Sequence, residues 1–407
     1  MPSYVNTASN RARRMKTILP LFIFIDACGW EIIRDNSFLS DTAPHRRRLE
    51  SVFGYSSACV PSILAGSWPQ EHRNWSYFVY DPKRSPFKFL RPFRWLPKAL
   101  TSRRIFRRWL SKWVKWRLGL SGYFDLYNIP FEHISLFDFT EKKSPLKPGG
   151  MNRGPNIFDY LENKEIAYHV SRPESSESDN LTAVLGDIQA ERIDFAFVYW
   201  PELDGLLHRV GNLSSEIAPK LREYESKIEK VVSAAREHYE EVRLYVFSDH
   251  GMANCDDLLD LKSQIDALPA REAVDYAVVY DSTMARFWFF NESARSQILE
   301  RLAQVPQGRI LSDDELKSLR TFFPDRYFGE LIFLAKEGTL IVPSHMGERP
   351  IRAMHGYHPS EKHSYAALLT NQPGIPEDVV AIPDMFNLMT RDATLAKEAN
   401  RPAPVMA

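Results

Sequence analysis

In Leu244-Tyr245-Val246-Phe247-Ser248-Asp249-His250-Gly251 a short apolar run stops abruptly at an acid, an imidazole and a glycine. An apolar run of that length reads as a buried parallel strand. In open α/β sheets the chemistry gathers where such strands end. Asp249 and His250 are neighbours, so an extended chain would send their side chains to opposite sides. Only a turn aims both at one point, and Gly251 permits one. Such a pair serves either a metal or a capped loop, and the rest of the chain has to decide.

Other apolar runs end the same way. Ile18 to Ile25 stops at Asp26, and Ile193 to Trp200 leads into Pro201-Glu202-Leu203-Asp204-Gly205-Leu206-Leu207-His208. Asp204 and His208 are four apart, so one helical turn puts them on the same face. A last strand, Tyr365 to Leu369, follows Met354-His355-Gly356-Tyr357-His358-Pro359. Between these lie helix signals. Glu31 to Arg34 opens a helix. In Tyr55 to Gly66, Pro61 suits a first turn and Gly66 an end. Ser56 and Ser57 then sit near a helix N-terminus, where they either cap it or meet developing negative charge. Asn156 to Asn163 reads as a helix, Glu165 to Val170 as a strand, and Glu174 to Asp179 as an exposed turn. Asn212 is placed to cap a long helix carrying Ile217, Leu221, Tyr224, Ile228, Val231 and Val232.

The totals are those of an ordinary globular chain: 407 residues, 44% apolar, 26% charged and a net charge of zero. Neutrality supplies no bulk field toward a polyanion, so specific nucleic-acid binding is not expected. Cys28, Cys59 and Cys255 are widely separated and form no disulfide framework, which fits a reducing, cytoplasmic setting. Arg11, Arg13, Arg14 and Lys16 precede Ile18 to Ile25 much as in a signal peptide. That run is too short to span a bilayer, Asp26 interrupts it, and no small-residue cleavage site follows. It reads as the first core strand behind a short basic arm, and Lys397 to Ala407 reads as a frayed tail.

The neutrality hides one asymmetry. Between Asp81 and Asp125 there is no acidic residue, while Arg103, Arg104, Arg107, Arg108, Lys112, Lys115 and Arg117 crowd together. Ile105, Phe106, Trp109, Leu110, Trp113, Val114 and Leu118 recur at helical spacing and read as one apolar face. That face either packs on the domain as part of a cap or lies on an anionic membrane surface, peripheral contact running through 101–118. In either role its cations would attract an anionic substrate. The expected organisation is an α/β core in 17–82, 151–270 and 346–395, a basic, aromatic-rich helical insertion in 83–150, and a small α+β subdomain in 271–345. The core is expected to be a doubly wound, mostly parallel sheet with helices on both faces.

Near the ends of the apolar strands, or in the loops beside them, stand Asp26, Asp204, His208, Asp249, His250 and His355. Burying three carboxylates and three imidazoles unpaired would cost several kcal/mol each, so a cation should compensate them. Mixed His/Asp ligation favours zinc, and manganese or iron also fit such a set. Six ligands suit two divalent metals, and two metals about 4 Å apart clamp the attacking and leaving oxygens of a phosphoryl transfer.

This pattern resembles the alkaline phosphatase superfamily, and within it the type I phosphodiesterase/nucleotide pyrophosphatase family. The resemblance rests on Phe24-Ile25-Asp26, Ser56 to His72, Tyr199 to Gly211, Val246 to Met252 and Met354 to Tyr357. It implies that Asp26, Asp249 and His250 hold one metal and Asp204, His208 and His355 the other. Counting back from Ala65-Gly66, it implies a nucleophile at Ser56, where many members use threonine. Trp68-Pro69-Gln70-Glu71-His72 matches the family's continuation. The implied chemistry is two-step hydrolysis of a phosphate ester through a phosphoseryl intermediate.

There are departures. Ala58 replaces a usual proline, and the family's phosphate-binding asparagine falls at Tyr77, with Asn74 near enough to substitute. His358 and His363 read as supporting or surface groups. Cys59-Val60-Pro61-Ser62 copies part of a sulfatase signature, but Ile63 stands where that signature has arginine. The metal-ligand pattern would also suit a phosphomutase of the same superfamily. The Arg/Trp helix by itself would suit a non-catalytic peripheral membrane protein.

Overall fold

The computed structural model describes residues 15–34 and 36–401, so Arg11, Arg13 and Arg14 of the basic arm and residues 402–407 lie outside the described residues. Its centre is the strand Lys16–Ile25, eight of whose ten residues are buried. This strand pairs in parallel with Phe195–Trp200 on one side and Tyr239–Phe247 on the other. Tyr168–Val170 extends the sheet in parallel beyond Phe195–Trp200. Ala366–Thr370 and then His45–Leu49 add antiparallel strands at the opposite edge. The six-stranded sheet is therefore mostly parallel, as its unbroken apolar runs require: both faces are covered.

Alternation within those runs builds two cores. Phe22, Phe24, Phe195, Phe197, Tyr245 and Phe247 point to one face. Phe22 stacks on Tyr245 at 4.6 Å, and Phe24 on Phe247 at 5.4 Å. Leu21, Ile23, Ile25, Val198, Trp200, Leu244 and Val246 point to the other face, where the long helix Ile217–Arg236 packs. The register sets Ile25 opposite Trp200 and Phe24 opposite Phe247, so three neighbouring strands finish level with one another. Whatever follows them shares one edge of the sheet.

A second, antiparallel sheet holds Tyr276–Tyr280, Met284–Phe289, Leu331–Ala335 and Gly308–Ile310. Ala277, Val279 and Trp288 of this sheet share a core with Phe87, Leu90, Leu110, Val114 and Phe124 of the 83–150 segment. The two inserted segments thus pack on each other. The fully buried Arg286 ties the second sheet to Phe78, in the last stretch of the core before the first insertion. It pairs with Asp281 at 2.8 Å and donates to the carbonyls of Phe78 and Phe328. No described helix is long and apolar enough to cross a membrane.

Several local expectations change. Pro61 lies in the second turn of the helix Ser56–Ala65, because the helix begins at Ser56 and the expected first turn is really its start. The expected exposed turn covers only Glu174 to Ser176, because a helix begins at Glu177. Ser176 caps a helix, Glu177–Gln189, and Glu177 is buried because Lys227, Tyr224 and the Glu202 backbone N–H all donate to its carboxylate. Asn212 caps nothing; its amide group donates to the Met252 carbonyl, and the long helix starts at Ile217. The final helix Met385–Ala399 runs through Lys397, and the Asn400 side chain accepts from the N–H groups of Thr17 and Ile18. That end of the chain is therefore pinned to the first strand as far as Asn400.

The basic helix Arg104–Leu118 does not present one apolar face. Leu110 and Val114 are buried, whereas Ile105 and Trp109 point to solvent on the opposite side.

Candidate functional site

Three carboxylates stand just beyond the three level strand ends: Asp26 after Ile25, Asp249 after Phe247, and Asp204 in the helix Glu202–Val210 that follows Trp200. The same helix carries His208 one turn later, its Nε2 3.3 Å from Asp204 Oδ1. His355, from the loop before the last strand, brings its Nε2 to 3.6 Å from the same oxygen. All six residues singled out in the sequence therefore converge.

Asp249 and His250 share one turn, and Gly251 makes it possible by a route other than unusual backbone angles. A Cβ there would lie 2.3 Å from the His363 carbonyl oxygen, so the residue is required for close approach. His250 Nε2 lies 3.1 Å from Asp249 Oδ2, 3.7 Å from Asp26 Oδ1 and 3.0 Å from Ser56 Oγ. Ser56 opens the helix Ser56–Ala65, whose N-cap residue, Tyr55, makes no side-chain capping bond. The hydroxyl thus stands at an uncapped helix N-terminus beside the cluster.

Two of the three imidazoles are oriented from behind. The outer nitrogen, Nδ1, of His208 faces the Ala353 carbonyl at 2.8 Å, and that of His250 faces the Gly251 carbonyl at 2.9 Å. A proton on each Nδ1 satisfies those carbonyls and leaves each Nε2 with a lone pair turned inward, the tautomer a metal ligand needs. The rings of His250 and His355 stack face to face at 3.8 Å.

Electrostatics point the same way. Burial, then the neighbouring Asp249 and Asp204, hold the Asp26 carboxyl well above its ordinary range. Burial pushes Asp249 up to about 7, with Asp204 adding to it. Burial opposes ionisation of Asp204 too, but the adjacent His208, with His355, wins and holds it low. Burial, then His250, depresses His355. Three carboxylates in one enclosed space resist simultaneous ionisation unless a cation joins them.

Whether such a cation fits can be judged from unused atoms. Asp26 Oδ1, Asp204 Oδ1 and Asp249 Oδ2 are buried without hydrogen-bond partners. Orphaned carboxylate oxygens aimed at one space are what divalent metals take up. Ligand atoms of Asp204, His208 and His355 lie within 4.8 Å of one another, as do those of Asp26, Asp204 and His250. Asp204 belongs to both groups, and Asp249 adjoins the second through His250. A further acidic group, Glu177, Glu202 and Glu223, is different in kind, because Lys220 and Lys227 already neutralise it.

The partners of Asn74 and Tyr77 lie elsewhere. Asn74 Oδ1 accepts from the Asn152 backbone N–H. The Tyr77 hydroxyl donates to the Tyr123 carbonyl and accepts from the Asp125 backbone N–H. Both tie the 83–150 insertion and the loop after it to the core. His358 sits with Ser360 and Glu315, and His363 with Glu337. Cys59 is fully buried, 3.6 Å from Ser51 Oγ, with its thiol pushed up by burial.

Two neighbours of the cluster carry no mark in the sequence. The Tyr199 hydroxyl donates to Asp26 Oδ2 at 2.7 Å, orienting that carboxylate. It sits one residue before the end of an apolar strand, where an aromatic is ordinary. Thr283, in the turn between two strands of the second sheet, meets Tyr55 Oη at 2.8 Å and donates to the Gly356 carbonyl. It bridges the residue before Ser56 to the residue after His355, a link only the tertiary fold creates.

The family model described as type I phosphodiesterase / nucleotide pyrophosphatase matches residues 21–358. Human ectonucleotide pyrophosphatase/phosphodiesterase 5 superimposes with a TM-score of 0.63 at 13% identity, covering 95% of this chain and 96% of that one. An inactive variant of the murine protein in complex with AMP gives 0.60 at 14%, covering 94% and 95%. Phosphonoacetate hydrolase from Sinorhizobium meliloti 1021, in complex with phosphonoformate, gives 0.61 at 13%, covering 94% and 98%. At such identities these likenesses establish the fold. Comparison with the curated proteins returns no match.

Proposed function

The chain belongs to the type I phosphodiesterase/nucleotide pyrophosphatase family, a family of phosphoric ester hydrolases, and from that premise we propose that Ser56 is its nucleophile. The observation that carries the proposal is the approach of Ser56 Oγ to 3.0 Å from His250 Nε2, inside a cluster with three orphaned carboxylate oxygens. Asp26, Asp249 and His250 would hold one divalent cation beside Ser56, and Asp204, His208 and His355 a second, zinc suiting both sets. When bound, the cations supply Lewis acidity, lowering the hydroxyl pKa and neutralising charge on the phosphoryl oxygens.

The chain's own groups do the remaining work. The Ser56 oxygen attacks phosphorus as the bond to the leaving oxygen breaks; the hydroxyl proton ends on the departing oxygen, and a phosphoseryl ester remains. Water then attacks the same phosphorus, the Oγ–P bond breaks, and serine regains its proton. The helix N-terminus at Ser56, which has no side-chain cap, would favour the charge that gathers on the equatorial oxygens. Tyr199 keeps Asp26 turned inward throughout.

Substrate class follows as far as a phosphate ester. AMP sits in the murine relative, so nucleoside phosphates belong in the first panel, beside p-nitrophenyl mono- and diesters. The Cys59 environment supports no sulfatase reading, since that thiol packs in the core. The test is Ser56→Ala on zinc- or manganese-supplied protein. Hydrolysis is expected to fall by about 10³-fold or more, with metal content unchanged. Undiminished turnover would remove Ser56 from the chemistry.

A further inference from the structure

We propose that the helix Arg104–Leu118 docks the protein on an anionic lipid surface through a stripe that the fold leaves facing outward. The helix is amphipathic twice over. Its inner side is fully used: Leu110 and Val114 are buried, and Arg107 donates to the carbonyls of Thr101, Tyr127 and Ile129. Its outer side carries Ile105, Trp109 and Trp116, which are 86%, 61% and 76% exposed. Spacings of four and seven residues put these three side chains on one face. Lys112 occupies the missing turn of that stripe, and Arg104, Arg108 and Lys115 flank it.

Packing does not explain the outer stripe, because the inner side alone holds the helix in place. Large apolar side chains aligned in water mark a surface that something covers. Charge complementarity says what. The whole segment from Pro82 to Phe124 has no acidic residue, so the covering partner is negative. The stripe itself is apolar, so that partner also accepts indole and aliphatic groups. A bilayer rich in acidic phospholipid meets both demands. Tryptophan settles at the depth of the headgroups, isoleucine reaches the acyl chains, and the flanking cations meet the phosphates. A nucleic acid backbone would pair the cations but leave Ile105 in water. A helix of 15 residues is roughly 22 Å long, enough to lie in the interface with several cations engaged. This inference stands apart from the phosphoester reading, since none of these residues touches the Ser56 cluster.

Co-sedimentation of the full chain with phosphatidylcholine vesicles, with and without phosphatidylserine, tests it. Binding is expected only with phosphatidylserine, and it should weaken as salt is raised. The combined variant Ile105→Ser, Trp109→Ser, Trp116→Ser should bind about tenfold more weakly or worse, and Arg108→Glu with Lys112→Glu likewise. Hydrolysis of a soluble p-nitrophenyl ester should be the same in all three proteins. Equal sedimentation of the wild type and both variants would overturn the proposal. So would absence of vesicle binding together with retention of a duplex oligonucleotide by the triple variant, which would make the surface a site for polyanions instead.

Discussion

The strand-end cluster and the Arg104–Leu118 helix both concentrate like charge, and they resolve it in opposite ways. At the strand ends three carboxylates are enclosed, with oxygens that nothing in the chain satisfies. On the outer side of the helix the cations stand in water, where solvent and salt screen them. Enclosed charge has to be matched by a counter-ion or neutralised by protons, so it points to a specific ligand. Exposed charge only sets up a field, and the helix acquires meaning from the apolar stripe among its cations. The Glu177 group shows the third outcome: the chain itself supplies the opposite charge, from Lys220 and Lys227, and no ligand is implied.

The sharpest way to break this contrast is Asp204→Asn. Asp204 would hold the second cation and also lies within 4.8 Å of the ligand atoms of Asp26 and His250, so its loss should disturb both sites, and loss of Asp249 only the first. We expect kcat/KM on a p-nitrophenyl ester to fall by about 10³-fold or more. Asp249→Asn should cost less, and the reverse order would mean that the influence of Asp204 is confined to the second site.

The two faces of the helix give the next largest effect. Leu110 is buried, so Leu110→Ala should destabilise the fold by about 2–4 kcal/mol in denaturant unfolding. Trp109 is exposed, so Trp109→Ser should change stability by no more than about 0.5 kcal/mol. Similar losses at both positions would mean that the outer stripe is also packed.

A smaller effect concerns pH in metal-free protein. Burial raises Asp249 to about 7 and holds Asp26 up as well. Each binds its proton more tightly folded than unfolded, so the stability from that proton is complete below the unfolded pKa. It is lost as pH rises through the folded value. Buried histidines held neutral, His72, His345 and His355, act in the opposite direction over the same range, so the contribution is read against Asp249→Asn. From pH 5 to pH 7.5 the metal-free wild type should lose about 2–5 °C of melting temperature relative to that variant, and added zinc should reverse the loss. Parallel profiles would mean that the Asp249 carboxyl is already ionised at pH 5.

What the sequence reveals and what it hides divide along physical lines. The parallel strands are legible because strands buried on both faces must be apolar throughout, and their polar terminators, Asp26 and Asp249, follow directly. Asp204 and His208 are legible as a pair because helical spacing is local. Their convergence with His355 needs family resemblance, since no periodicity reaches across the chain. Gly251 draws notice for freedom of turning, yet the fold uses its missing side chain against His363. The helix surface differs from its expected form because hydropathy alone cannot separate an aromatic that packs, such as Trp113, from one that faces out, such as Trp109. Glu177 looks exposed by composition, and only its partners on the long helix, Tyr224 and Lys227, explain its burial. Tyr199 and Thr283 take their roles from contacts between distant segments, which leave no trace in spacing.

The central claim is that six side chains hold divalent metal beside Ser56. Calorimetric titration of zinc into metal-free protein, with ester hydrolysis followed in the same samples, tests it most directly. Two equivalents should bind per chain, with activity rising as they do, and at least one equivalent should be lost in Asp26→Asn. No zinc binding, or binding and activity unchanged by Asp26→Asn, would contradict it.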